Sequence, residues 1–242
     1  MLREPPAGDT AAQRLARASH LSALARRAKG ARREELGRRA LAAYEDVVTR
    51  FPEAASVTSE AAFRAGELRR RFEEDDEALR LFARAREVAP RGPFAHRAAF
   101  AEAVLLRDRG SWDPALEVLA TVEADESGPR ARRERGALEA ARTLPLAGRD
   151  DAARAAFQRL ALRAADPFVL AKAHDEWALR LVAIGDLEGA AGVLARCRDA
   201  LRDPAAQQTE TGRRLTELLE ELRCIDALKT AIERRRTDRG DR

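Results

Sequence analysis

Residues Ser59–Pro90 read SEAAFRAGELRRRFEEDDEALRLFARAREVAP, and this pattern predicts two amphipathic helices joined by a short acidic turn. In the first helix, small and apolar residues recur at helical spacing from Ala62 to Leu68. In the second helix the apolar residues stand one, three or four positions apart, and Pro90 ends the pattern. Gly66 costs the first helix roughly 1 kcal/mol relative to alanine, so we expect another backbone to pass close to it.

The same helix pair recurs along the chain, and stacking such pairs allows each one to bury an apolar face that it cannot bury alone. The second helix of each pair opens on an alanine, and these anchors are Ala40, Ala78, Ala115, Ala153 and Ala190. The period is therefore 37 or 38 residues. Four positions after the anchors stand Tyr44, Phe82, Leu119, Phe157 and Leu194. Turn glycines precede three of the anchors by the same distance, at Gly110, Gly148 and Gly185.

This arrangement resembles the tetratricopeptide repeat (TPR) family, whose unit is a helix, a Gly-Asp-like turn and an Ala-x-x-x-aromatic helix closed by proline. The best match is residues 59–90, with Gly66, Ala78, Phe82, Ala85 and Pro90 at the family's spacing. The resemblance covers about residues 10–204 and departs from the usual period of about 34 residues. It implies an all-α fold, a right-handed α-solenoid of about five TPR-like helix hairpins with a C-terminal capping helix.

Composition and the positions of proline and glycine residues divide the chain into three regions. Charged residues make up 36% and apolar residues 45% of the chain, which is typical of a folded helical protein. Residues 1–9 are polar and contain a proline pair, so we expect a disordered lead that ends in a helix N-cap at Asp9 or Thr10. Residues 10–204 form the repeat array, with a loop-like break at Glu123–Pro129 and with Pro145 late in a first helix.

The third region, residues 205–242, has a different pattern. Apolar residues at three- and four-residue steps predict one long amphipathic helix from Ala205 to Arg236, followed by a basic tail. These residues are Leu215, Leu218, Leu219, Leu222, Ile225, Leu228 and Ile232. Two interpretations stay open, a helix that caps the end of the array and a coiled-coil helix that forms a homodimer through residues 205–236.

The sequence offers no convincing catalytic or metal-binding constellation. Cys197 falls at a core position, and neither a Cys-x-x-Cys nor a His-x-x-x-His pair occurs. The neighbours His174, Asp175 and Glu176 point in different directions from a helix, so they do not converge on a metal ion. A glycine-rich phosphate loop is also absent. We therefore expect a protein that is not an enzyme and that uses no cofactor and no metal.

In tetratricopeptide arrays the first helix of each pair lines a concave groove, and the resemblance implies the same arrangement here. The residues that would bind a partner in this groove are Phe63, Arg64, Arg70, Arg71, Arg97, Phe100, Arg107, Arg135, Arg142 and Lys172. Arginine binds carboxylates through two parallel hydrogen bonds and stacks on planar groups. A groove that mixes arginine with phenylalanine favours a protein or peptide partner that carries acidic and apolar residues.

These patterns predict a protein–protein interaction scaffold, with two alternatives. The phrase Tyr44–Pro52, YEDVVTRFP, resembles a phrase of bacterial outer-membrane assembly lipoproteins that carry such repeats, which points to a cell-envelope assembly or accessory protein. The net charge of +4 allows a nucleic-acid-binding helical array, but interspersed acidic residues make that partner less favoured. No apolar run of secretory or membrane-spanning length occurs, so we expect a cytoplasmic protein, or an envelope-associated or periplasmic one if a signal sequence has been removed.

Overall fold

The structure is a computed structural model that describes residues 10–203, 208 and 227–234. Ten helices occupy residues 11–202, and no strand occurs within the described ranges. They are α1 (Ala11–Arg27), α2 (Gly30–Arg50), α3 (Ala55–Arg71), α4 (Asp75–Val88), α5 (Pro93–Asp108), α6 (Trp112–Glu123), α7 (Arg130–Thr143), α8 (Asp150–Arg163), α9 (Pro167–Ala183) and α10 (Leu187–Arg202). The predicted all-α fold of successive helix hairpins is confirmed.

The chain divides into two compact units, and the boundary falls between Val118 and Leu119, inside α6. In the N-terminal unit, α1 packs against α2 and α3 against α4, and each hairpin then packs against the next helix. The first helices also contact one another, α1 with α3 and α3 with α5. In the C-terminal unit, α7 packs against α8, α8 against α9 and α9 against α10, and the first helices α7 and α9 are again neighbours.

Burial confirms the repeat register that the alanine anchors predict. All five anchor alanines have no exposed surface. Four of them stand in the first turn of their helix, whereas Ala40 lies in the middle of α2, so the expectation that the second helix opens at the anchor is wrong for the first hairpin. The large side chains four positions later are buried at Tyr44, Phe82, Leu119 and Phe157, whereas Leu194 is half-buried. Because a methyl group is the whole side chain at each anchor, these positions leave room for a neighbouring helix to pack closely.

Gly66 lies against a ring rather than a backbone. A Cβ atom added at Gly66 would lie 2.6 Å from Cε1 of Phe82, a side chain with no exposed surface. The expectation that another backbone passes Gly66 is therefore wrong. The glycine makes room for the aromatic residue of its own hairpin, because a fully buried ring cannot move aside.

One turn geometry joins the helices of four hairpins. Gly110, Gly148 and Gly185 have φ of +74°, +71° and +81°, and Glu73 takes the same place in the α3–α4 turn with φ of +61°. In each turn the amide of the following residue donates to a carbonyl five residues earlier, as in the bond from Glu74 N to Arg69 O of 3.0 Å. This pattern satisfies the last carbonyls of the first helix and reverses the chain.

Helix starts follow the capping residues. Thr10 caps α1, since its Oγ1 accepts a hydrogen bond from Gln13 N, and the Gln13 side chain reaches back to Thr10 N. Asp166 caps α9 by accepting from Phe168 N and Val169 N. The N-cap predicted at Asp9 or Thr10 is thus located at Thr10.

Glu74 ties three helices of the N-terminal unit together at the start of α4. Its carboxylate accepts hydrogen bonds from Arg38 of α2 and Arg69 of α3. These bonds hold the pKa of the Glu74 carboxyl below its usual range. Arg69 also donates to Glu45 of α2, so α2, α3 and α4 share one polar network.

One expectation from the sequence is wrong, and two others fall wholly or mostly on residues that the structure does not describe. Pro145 does not lie late in a first helix, because α7 ends at Thr143 and Pro145 belongs to the turn before α8. The predicted lead at residues 1–9, and most of the helix predicted from Ala205 to Arg236, lie outside the described residues. Residues 227–234 are helical, and Leu228 packs against the core of α9 and α10.

Candidate functional site

The first helices of the N-terminal unit bring together two phenylalanines and two arginines, which we call the Arg–Phe cluster: Phe63 and Arg64 of α3, and Phe94 and Arg97 of α5. The ring centroids of Phe63 and Phe94 lie 5.8 Å apart with planes inclined by 41°. The Arg97 guanidinium carbon lies 5.1 Å from the centroid of Phe63 and 5.6 Å from that of Phe94. Arg64 approaches Phe94 from α3 at 5.7 Å. These distances are within the range of cation–π attraction.

Local sequence explains how α5 presents its part of the cluster. Pro93 occupies the first turn of α5, where its missing N–H costs nothing. Phe94 follows in that turn, and Arg97 stands three residues later on the same side of the helix. Phe63 is almost fully buried against Phe82 of α4, at 6.1 Å between centroids, so it anchors the cluster to the hairpin core.

The two arginines of the cluster differ in their partners. Arg64 forms an ion pair with Glu60 one turn earlier in α3, at 3.3 Å. Arg97 is exposed, and no carboxylate within the described part of the chain pairs with it. A guanidinium that lies over two rings and is exposed to solvent can bind an anionic group of a ligand.

The other predicted residues of this unit lie apart from the cluster. Arg70 is exposed and pairs with Glu67 of its own helix at 3.6 Å. Arg71 lines a shallow hollow of about 220 Å³ beside Phe72 and α2. Phe100 and Arg107 are half-buried along α5.

In the C-terminal unit the predicted arginines are engaged by acidic residues. Arg135 binds Asp166, the N-cap of α9, with its Nη2 3.0 Å from Oδ2. Arg142 pairs with Glu139 at 2.9 Å and with Glu176 of α9 at 3.5 Å. Lys172 is half-buried on α9. These contacts tie α7 to α9.

Comparison with solved structures identifies the fold. The chain resembles TPR-like repeats from Podosopora anserina, described as those of a kinesin light chain, with a TM-score of 0.53 and 16% sequence identity over 76% of this chain and 95% of that one. A single-substitution variant of those repeats matches with a TM-score of 0.56 and 16% identity, over 81% of this chain and 98% of the other. This chain has a TPR-like fold. No protein-family model matches the sequence, and a search of curated proteins finds no significant match.

One residue of the Arg–Phe cluster, Phe94, was not predicted from the sequence. Phe94 is the centre of the Arg–Phe cluster, yet it was not among the predicted groove residues. The dipeptide Pro-Phe that opens α5 at Pro93 recurs at Pro167, where it opens α9 two repeats later. There Arg135 lies 5.8 Å from the ring of Phe168. The recurrence of this pair at first-helix starts was the available signal.

Buried ionisable side chains in the last TPR-like hairpin serve its packing. Cys197 has no exposed surface, and burial raises the pKa of its thiol to about 12, with a smaller effect from the nearby carboxylate of Asp175. Burial also lowers the pKa of His174, whose Nδ1 lies 2.9 Å from the Leu170 carbonyl oxygen. A thiol with a raised pKa is a poor nucleophile at neutral pH. The interpretation of Cys197 as a buried core residue is confirmed, whereas Cys224 lies outside the described residues.

Two properties of the described residues bear on metal binding and on membrane insertion. Among them, no group of three or more His, Cys, Asp or Glu side chains is arranged to hold a metal ion. None of the helices within them has the length and apolar character needed to span a bilayer.

Proposed function

We propose that this chain is a non-enzymatic scaffold that binds a peptide or protein segment along the face formed by α3 and α5 of its N-terminal unit, with the Arg–Phe cluster as the principal contact. The TPR-like fold supports a role in protein interaction. The observation that carries the proposal is Arg97, which is exposed over two phenylalanine rings and has no carboxylate partner within the described chain.

The chemistry of the cluster favours a partner segment with an apolar side chain next to an acidic one. The half-buried ring of Phe94 offers apolar surface between α3 and α5. Arg97 supplies a guanidinium fork for a carboxylate, and its stacking on Phe63 and Phe94 limits the rotamers that binding must fix. Arg64 is already paired with Glu60, so it contributes less to the recognition of an anion.

The same surface is less suited to nucleic acid. Within the described residues, Arg64 and Arg70 of α3 each lie beside a carboxylate of their own helix. Nucleic-acid-binding arrays depend on a continuous basic groove and on exposed aromatic rings for stacking. Pairs of opposite charge interrupt such a groove, which supports a protein partner.

Peptide display with the full chain as bait tests the proposal. We expect a library of proteome-derived peptides to yield ligands in which acidic and apolar residues are adjacent. The substitution Arg97→Glu should weaken the binding of these ligands at least tenfold, since a charge-assisted hydrogen bond contributes about 1.5–3 kcal/mol.

The matched control is Arg80→Glu on α4, which changes the net charge identically at a side chain that is 77% exposed and lies on a second helix. Its binding should equal that of the unmodified chain. Equal losses for both variants would show that only net charge matters, and unchanged binding by Arg97→Glu would remove the cluster from the binding site.

A further inference from the structure

The C-terminal unit contains a cleft of about 330 Å³ between α7 and α8. Its floor is apolar and built mostly from short side chains, and it consists of Ala137, Ala140, Ala141, Leu144, Ala156 and Leu160. Its rim is charged and consists of Glu123 at the end of α6, Arg130 and Glu134 of α7, and Arg159 and Arg163 of α8. The volume is close to the lower end of the range for ligand pockets, which begins at about 300 Å³.

The repeat register explains why this hairpin has a cleft. Ala156 stands three positions after the anchor Ala153, and the same place in the second hairpin is filled by Leu81. Leu81 packs against the cores on both sides of α4. The first hairpin also has an alanine here, Ala43, and it also has a cleft, of about 320 Å³, between α1 and α2. In both hairpins with a cleft, an alanine thus stands where Leu81 packs between the helices of the second hairpin.

The cleft is separate from the face on which the first helices would bind a partner. On α7 the floor residues Ala137 and Ala141 lie about a third of a turn from Arg135 and Arg142, at roughly 100° per residue. Arg135 and Arg142 face α9, where they bind Asp166 and Glu176. A ligand of the cleft would thus contact a different side of the hairpin.

The charges on the rim are not balanced within the hairpin. Glu134 is fully engaged, since its carboxylate accepts from Ala165 N, Asp166 N and Arg130 Nε at 2.7–3.0 Å. Arg159 and Arg163 are exposed one turn apart on α8, and neither has an ion-pair partner within the described residues. Two like charges at this spacing repel each other. A carboxylate placed between them would relieve that repulsion.

We propose that the α7–α8 cleft docks an amphipathic helical segment of a partner protein. The segment inserts an aliphatic side chain onto Ala141 and Ala156, and it presents an acidic residue one helical turn away to Arg159 and Arg163. Apolar anchors at helical spacing in a groove are a common mode of peptide recognition. The chain would then be a scaffold with one docking surface in each unit.

A designed peptide probe tests the cleft directly. The probe is an acetylated and amidated helix of about four turns, long enough to be helical in part, with leucines on one face, glutamates flanking them and alanines elsewhere. Its control has lysine in place of every glutamate. In methyl NMR spectra of the full chain, the acidic peptide at millimolar or lower concentration should shift the methyl resonances of Leu144 and Leu160. The lysine peptide should leave these resonances unchanged.

Two kinds of variant then locate the contact. Ala156→Leu supplies the side chain that Leu81 supplies in the second hairpin, so it should fill the cleft and weaken the acidic peptide about tenfold or more. Ala155→Leu adds the same side chain at an exposed neighbouring position outside the cleft and should bind normally. The double variant Arg159→Glu with Arg163→Glu changes only exposed side chains and should also lose about tenfold in affinity.

Several outcomes would overturn the proposal. They are equal binding of the lysine peptide, normal binding by Ala156→Leu, and the absence of any shift at Leu144 and Leu160 at millimolar peptide. Shifts confined to the methyl groups around Phe63 and Phe94 would refute the cleft while supporting the Arg–Phe cluster. If an aliphatic carboxylate such as octanoate reproduces the Leu144 and Leu160 shifts at equal concentration, the cleft is a small-molecule site. The proposal of a partner helix would then be rejected.

Discussion

The contact between Gly66 and Phe82 shows how one missing side chain sets the packing of a hairpin. Phe82 is the largest fully buried side chain of α4, and its ring occupies the space where a Cβ at position 66 would stand. Alanine is the better helix former by about 1 kcal/mol, so intrinsic propensity and packing oppose each other here. The clash at 2.6 Å is with a ring that has no room to move, and packing therefore prevails.

We predict that Gly66→Ala destabilises the protein by about 1–3 kcal/mol, the usual cost of overpacking a core. The same substitution in a Phe82→Leu background should cost much less, because the smaller side chain leaves room for the new methyl group. Urea unfolding of the two single variants and the double variant measures this coupling. Additive losses would mean that the ring and position 66 do not touch.

At the scale of the element, four hairpin turns share one backbone conformation, although the residue at the left-handed position is glycine in three of them and glutamate in the fourth. Three turns place glycine in the left-handed region, and the α3–α4 turn places Glu73 there with φ of +61°. For a residue with a Cβ this conformation costs roughly 1–2 kcal/mol. Glu73 is tolerated because the turn around it is fixed by hydrogen bonds from its own N–H and from that of Glu74.

We predict that Glu73→Gly stabilises the chain by about 0.5–1 kcal/mol, since the relief of strain exceeds the added flexibility of the unfolded chain. Gly148→Ala is the matched reverse change. It should destabilise by about 1 kcal/mol through conformation alone, because a Cβ there would meet nothing within 4 Å. Thermal and urea unfolding measure both effects. A stabilising Gly148→Ala would show that the turn does not hold its φ in solution.

For the whole molecule, the division into two compact units has a consequence for unfolding. In repeat proteins each unit contacts its neighbours in sequence, so stability is approximately a sum of local terms. Phe82 lies in the core of the N-terminal unit, and Phe157 holds the equivalent place in the C-terminal unit. Removing either ring should therefore weaken one part of the chain more than the other.

We predict that Phe82→Ala and Phe157→Ala each destabilise their own unit by about 3–5 kcal/mol, as for other buried aromatic residues. Amide hydrogen exchange should speed up mainly in α3 to α5 for the first variant and mainly in α7 to α9 for the second. The control Leu162→Ala, at a side chain that is 62% exposed, should change little. Equal acceleration throughout the chain in both variants would mean that the molecule unfolds as one cooperative block.

The sequence predicts the hairpins of this molecule well because their signals are local. A repeated alanine and a large apolar side chain four residues later determine which face of each second helix is buried. The binding surfaces are less predictable, because they depend on distances between residues far apart in the chain. Arg135 was expected to face a groove, yet it is engaged by Asp166, 31 positions later. Phe94 gained its role only because α5 packs beside α3.

The same limit applies to the cleft between α7 and α8. The difference between Leu81 and Ala156 is visible in the aligned repeats. Whether a neighbour fills the space that a smaller side chain leaves is a property of the packed helices. The ten residues predicted for the groove remain a prediction for binding, and the structure brings Phe63, Arg64 and Arg97 together among them.

The alanine contacts at the helix anchors also bear on how the protein would respond to hydrostatic pressure. Pressure favours the state of smaller volume, and the volume lost on unfolding grows with the empty space trapped inside the folded protein. Helices that touch through single methyl groups trap little such space. Compression would therefore gain little by pulling these hairpins apart at the anchors.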